Sequence, residues 1–68
     1  MSNADRVYDA LQFGQDYTRD DIGRLLQGSG LSGSEIDDAI NSLVIGRRLS
    51  RERRGLLGVK YVKRSPGY

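Results

Sequence analysis

The chain has neither cysteine nor histidine, so any chemistry must come from its glycines, acids, serines and arginines. That absence excludes a thiolate nucleophile, a His general base, a zinc-finger site and a disulfide framework together. Gly28-Ser29-Gly30-Leu31-Ser32-Gly33 spells G-x-G-x-x-G, and Glu52 follows Gly33 by 19 residues, the pattern of a dinucleotide fingerprint. Such a fingerprint works only after a strand, at the opening of a helix inside a βαβ unit. Here it follows a helical stripe at Leu25 and Leu26 in a chain too short for the sheet, so its glycines are expected to end one helix and admit the next. The acid pairs Asp20-Asp21 and Asp37-Asp38 do not converge, because neighbours on a helix point apart, and helix caps and the helix dipole explain them better than catalysis or metal capture. Ser32 and Ser34 lack a base to activate them. The chain is expected not to be an enzyme and to need no cofactor or metal.

What remains is cationic chemistry. Arg47, Arg48, Arg51, Arg53, Arg54, Lys60, Lys63 and Arg64 lie in one stretch near the end of the chain. Arginine outnumbers lysine there, which suits bidentate contacts to phosphate. The alternatives are an acidic protein partner and a merely solvated, aggregation-resistant strand edge. The net charge of +2 conceals the asymmetry: residues 1–38 hold eight acids and three bases, and residues 39–68 hold eight bases and one acid. A block of one sign at one end usually marks an interaction surface.

The elements that must position these cations can be read from caps and periodicity. With 68 residues, 37% hydrophobic and 29% charged, the chain suffices for one small domain with a thin stability margin. Ser2 or Asn3 caps a first helix whose apolar face is Val7, Ala10 and Leu11, ending near Gly14. Thr18 and Asp21 form a capping box for a second helix, with Tyr17 and Ile22 as its hydrophobic staple and Ile22, Leu25 and Leu26 as its buried stripe. Ser32 and Glu35 box the third, stapled by Leu31 and Ile36 and striped by Ile36, Ala39, Ile40, Leu43 and Val44 up to Gly46. Residues 47–64 then read as a hairpin. If Leu49 faces the core, an odd loop near Arg54-Gly55-Leu56 places Leu57, Val59 and Tyr61 on the same face, and an even loop would send them to solvent. The odd loop is expected, with Arg48, Ser50, Glu52, Lys60, Val62 and Arg64 opposite, and Arg51 and Arg53 on the core side but out toward the tip. Leu56 either packs under the loop or stands out as a wedge. Phe13 lies off the first stripe and is free to pack under the hairpin or to seed a dimer contact.

This order of elements resembles a winged helix-turn-helix domain over residues 4–64. The residues that carry the likeness are Tyr17-Thr18-Arg19-Asp20-Asp21-Ile22 opening the second helix, Leu31-Ser32 opening the third, and Leu49 to Tyr61 as the wing. Gln15 to Tyr17 would be the small first strand beside it. The resemblance implies an α+β fold, a single domain over residues 1–64 with a flexible tail at 65–68, and a DNA-binding transcriptional regulator. Its third helix would enter the major groove, and its wing would touch the backbone or a neighbouring groove. The outward face of that helix, however, presents Ser34, Asp38, Asn41 and Ser42, with Asp37 at its edge and no base. Asn41 is the one good base reader, through a bidentate contact to adenine. The expected DNA-binding set is Ser34, Asn41 and Ser42 with Arg47, Arg48, Arg51, Arg53, Arg54, Lys60, Lys63 and Arg64, led by the hairpin. So small a surface calls for a homodimer on a two-fold double-stranded site or for a protein partner. The other reading is a protein-interaction module that binds no DNA. No stretch approaches the ~20 apolar residues of a membrane span and no secretion signal is visible, so a cytoplasmic setting without membrane contact is expected.

Overall fold

The computed structural model describes residues 2–65, apart from the side chain of Leu57. In chain order it contains α1 (Asn3–Ala10), β1 (Asp16–Tyr17), α2 (Arg19–Leu25), α3 (Gly33–Ile45), β2 (Leu49–Arg53) and β3 (Val59–Lys63), with one turn of 3-10 helix at Gly55–Leu57. The fold is α+β. Three helices cover one three-stranded antiparallel sheet in the order β1-β3-β2, so the last strand in sequence is central. Pro66 to Tyr68, most of the expected tail, lie outside the described residues.

All three helices begin with the same reciprocal device. Ser2 Oγ accepts from Asp5 N at 3.1 Å while Ser2 N donates to Asp5 Oδ2 at 3.2 Å. The Thr18 and Asp21 pair exchanges its two bonds at 3.0 Å each, and Ser32 and Glu35 do so at 3.2 and 2.9 Å. Each box satisfies two groups that the first turn of a helix would otherwise leave without partners. The second and third follow the sequence reading; the first settles the choice between Ser2 and Asn3 and adds Asp5, whose spacing from Ser2 was the signal to find it. Gly28 and Gly30, at φ +81° and +88°, take the left-handed turn between α2 and α3 that an L side chain rarely tolerates. The G-x-G-x-x-G run therefore follows a helix, as context required.

The end of α3 is unusual. Arg47 N donates to Val44 O at 3.1 Å and Arg48 N to Leu43 O at 2.8 Å, the paired bonds of a Schellman motif around Gly46. The residue in the left-handed position is Arg47, at φ +61°, where glycine is usual.

The core consists of Val7, Leu11, Tyr17, Ile22, Leu26, Ile36, Ala39, Ile40, Leu43, Leu49 and Tyr61. The hairpin pairs Leu49 with Lys63, Arg51 with Tyr61 and Arg53 with Val59, leaving a five-residue connection over 54–58. That odd length brings Leu49 and Tyr61 to the core together. β1 joins at Asp16–Tyr17, one residue shorter than expected, pairing Tyr17 with Tyr61.

Three apolar expectations change. Leu25 is 49% exposed, because α2 is only two turns long and Leu25 faces a shallow depression with Gln15, Asp16, Tyr17, Asp21 and Arg24, past the two-residue β1. Val59 has the core-facing parity but stands opposite Arg53 beyond the edge of the core, 36% exposed. Leu56 is fully exposed on the hairpin tip, so it does not pack under the loop. Val44 is half-buried against the core, and Phe13 meets the Tyr8 ring edge-on at 6.4 Å between centroids.

Candidate nucleic-acid interface

The outward face of α3 leaves Ser34, Asp38, Asn41 and Ser42 exposed. Asp37 is also exposed but not free: Arg19 of α2 donates to it through Nε and also reaches Gly33 O through Nη2 at 3.2 Å. This contact links α2 to the first turns of α3 and pairs one of the carboxylates that would repel phosphate. Among the described residues Asp38 has no ion pair.

The eight cations divide by what each already holds. Arg48 pairs with Asp5 at 3.1 Å and lies 5.4 Å from the Tyr8 ring, tying the hairpin base to α1. Arg54 bridges Asp16 at 3.3 Å and Glu52 at 3.2 Å. Arg64 reaches Glu52 at 3.6 Å and Ser50 Oγ at 3.0 Å, and its carbonyl accepts from Tyr8 Oη at 2.7 Å. Lys63 donates to Leu11 O at 2.9 Å beneath the rings of Tyr8 and Phe13, at 4.3 and 4.7 Å. Arg51 donates to Asn41 Oδ1 at 3.0 Å and stacks 5.6 Å from the Tyr61 centroid, with no acid. Among the described residues, the side chains of Arg47, Arg53 and Lys60 make neither hydrogen bond nor ion pair.

The division between an acidic first half and a basic hairpin is therefore partly cancelled within the molecule, because Arg48 and Arg54 fold back onto Asp5 and Asp16. Among the described residues Arg47, Arg51, Arg53, Lys60 and Lys63 have no acid partner; Arg51 and Lys63 are held by neutral groups, and Arg47, Arg53 and Lys60 have no side-chain partner. The structure brings Asn41 and Arg51 into direct contact and leaves Ser34 at the far end of α3. No family model, curated protein or solved structure matches the chain.

Three carboxylates titrate below their ordinary range, and each is a capping acid. Asp5 is lowered chiefly by the Ser2 N–H and hydroxyl, with help from Arg48. Asp21 is lowered by the Thr18 N–H and hydroxyl, then by the charges of Lys60 and Arg24. Glu35 is lowered by the same two groups of Ser32 and by the Asn3 amide. In each case the leading cause is hydrogen bonding to the charged form by the cap residue, so these acids are structural anions. Among the described residues no acids gather to hold a metal, and no helix is long and apolar enough to cross a membrane.

Sequence reasoning missed the side-chain contacts between elements: Arg19–Asp37, Arg48–Asp5, Arg54–Asp16, Arg51–Asn41, the Tyr8, Phe13 and Lys63 stack, and the Tyr61 ring under Arg51. Only Tyr61 carried a signal, since the odd-loop register places it on the side of Arg51.

Proposed function

We propose that the chain is a small winged-helix DNA-binding protein, acting in the cytoplasm as a transcriptional regulator and contacting duplex DNA mainly through its basic hairpin. The observation that carries the reading is the contact of Arg51 on the hairpin with Asn41, the base-reading candidate on α3, in a hairpin that also holds Arg53 and Lys60 without side-chain partners among the described residues. Support for the fold comes from the order α1-β1-α2-α3-β2-β3 and the central position of β3. In this reading α3 lies along the major groove and the hairpin grips phosphate, with a two-fold site or a partner protein supplying the remaining contact area.

The test is a salt titration on random-sequence duplex. Phosphate contacts by Arg47, Arg53 and Lys60 predict a slope of about −2.7 in log affinity against log salt. A slope near zero, or no binding at low salt, would overturn the reading. It would favour instead a winged helix docking onto protein, for which the exposed, unpaired Asp38 on α3 is the supporting observation.

A further inference from the structure

We propose that Asn41 and Arg51 read one base pair as a single unit and that the base is guanine. The proposal rests on the reading of α3 and the hairpin as a duplex-DNA surface.

The two side chains come from different elements, Asn41 from α3 and Arg51 from β2, and both are exposed. Arg51 is nevertheless held from two directions: its Nη2 donates to Asn41 Oδ1 at 3.0 Å, and its guanidinium lies 5.6 Å from the centroid of Tyr61. Tyr61 is itself fixed, 8% exposed and paired between Tyr17 and Arg51 across the sheet. Among the described residues Arg51 is the only hairpin cation whose side chain bonds α3, and it has no acid partner. A guanidinium fixed in this way loses less side-chain entropy on contact than a free arginine would.

Counting donors decides the base. The Asn41 amide offers one oxygen acceptor and two N–H donors, and Arg51 offers five N–H donors. Their mutual bond engages the oxygen and one donor, so what the pair presents outward is mainly N–H. Guanine shows two acceptors, N7 and O6, in the major groove, and adenine shows one acceptor and one donor. An isolated asparagine matches adenine because its free oxygen accepts from the adenine amino group. In this protein Arg51 takes one of the two lone pairs of that oxygen and sets its other N–H donors beside it, so the balance of the pair shifts toward the two acceptors of guanine. Arg51 thus acts both as a contact and as the positioning residue for Asn41.

The experiment selects binding sites from duplexes with randomised positions, using the full chain and the variants Asn41→Ala, Arg51→Lys and the double variant. Affinities are then measured on the selected duplex and on its G·C to A·T derivative. The wild-type chain is expected to enrich guanine at one position and to lose about 5- to 150-fold on the exchange. Asn41→Ala and Arg51→Lys should each erase preference at that same position, with no further loss in the double variant. Arg51→Lys keeps the charge but not the planar fork, so it should lose more affinity on the selected duplex than on random duplex. Thermal melts establish that all the variants are folded. Enrichment of adenine, relaxation at two different positions, or additive losses would each overturn the proposal. Uniform binding to all sequences by the wild-type chain would make Arg51 a phosphate contact, so the shared-reader idea falls and the DNA reading stands. If the wild-type chain binds no duplex, both fall.

Discussion

Replacing Arg47 by glycine should make the protein more stable and a weaker DNA binder at once. Arg47 closes the Schellman motif of α3 at φ +61°, a conformation that costs an L-residue roughly 1–2 kcal/mol. Glycine removes that cost but surrenders about 0.5–1 kcal/mol through its freer unfolded chain. The substitution also deletes a cation near the C-terminal end of the helix dipole, about 0.3 kcal/mol for an exposed side chain at low salt. The balance is a gain of about 0.5 kcal/mol, or roughly 2–4 °C in Tm for a domain of this size. High salt screens the dipole contribution and should widen the gain. Arg47→Ala keeps the backbone cost and loses the charge, so it should melt at or slightly below wild type. Circular-dichroism melts of the three proteins at two salt concentrations, with duplex affinity measured in parallel, make the comparison. If Arg47→Gly melts no higher than Arg47→Ala, the left-handed position carries no strain and the reasoning fails. If it melts higher and binds duplex with an unchanged salt slope, the arginine is not a phosphate contact.

Acid should unfold the protein through its caps. The folded pKa values of Asp5, Asp21 and Glu35 are depressed, so their contribution is complete above the unfolded values near 4 and is lost as pH falls through the folded ones. Urea midpoints measured from pH 6 down to pH 2 should decline below about pH 4, more shallowly for Asp21→Asn; a flat profile contradicts the capping account. Leu56→Ser should leave stability within about 0.5 kcal/mol, whereas Ile40→Ala in the core should cost about 2–5 kcal/mol, as chemical denaturation will register. Arg53→Ala should lower the salt slope on duplex by about 0.9, and Arg54→Ala should lower it less while reducing Tm, because Arg54 already bridges Asp16 and Glu52; equal slopes for the two would refute the sorting of free from committed cations.

Interactions that close within a few residues were legible in the sequence. Thr18 with Asp21 and Ser32 with Glu35 are separated by one helical turn, so composition and spacing sufficed to place two helices. The hairpin was legible for a different reason: Leu49 and Tyr61 must share the core, and only an odd connection allows it. Leu25 was misjudged because a wheel gives the direction of a side chain and not the extent of what covers it; β1, at two residues, is too short to reach over α2. The candidate site was legible in its residue types but not in their commitments. Nothing near Arg54 in sequence reveals Asp16, and nothing near Arg51 reveals Asn41, because both pairs exist only once the hairpin has docked. That docking leaves three of the eight candidate phosphate ligands, Arg47, Arg53 and Lys60, without a side-chain partner among the described residues, a distinction that no count of arginines could make.

The central position of β3 has a consequence for how the protein is made. A ribosome that has delivered Arg53 has produced β1 and β2 with no strand between them, and the two acquire their partner only when Val59 to Lys63 emerge. Until then the helices have no sheet to close over, and Leu49 and Tyr17 lack the ladder that buries them. Pairings this distant in the chain are slow to form. The sheet is therefore assembled in one late event, with Tyr8 and Leu11 of the earliest segment receiving Arg64 and Lys63 of the latest. Nascent chains halted before Val59 should remain open to protease, and those extended past Arg64 should resist it.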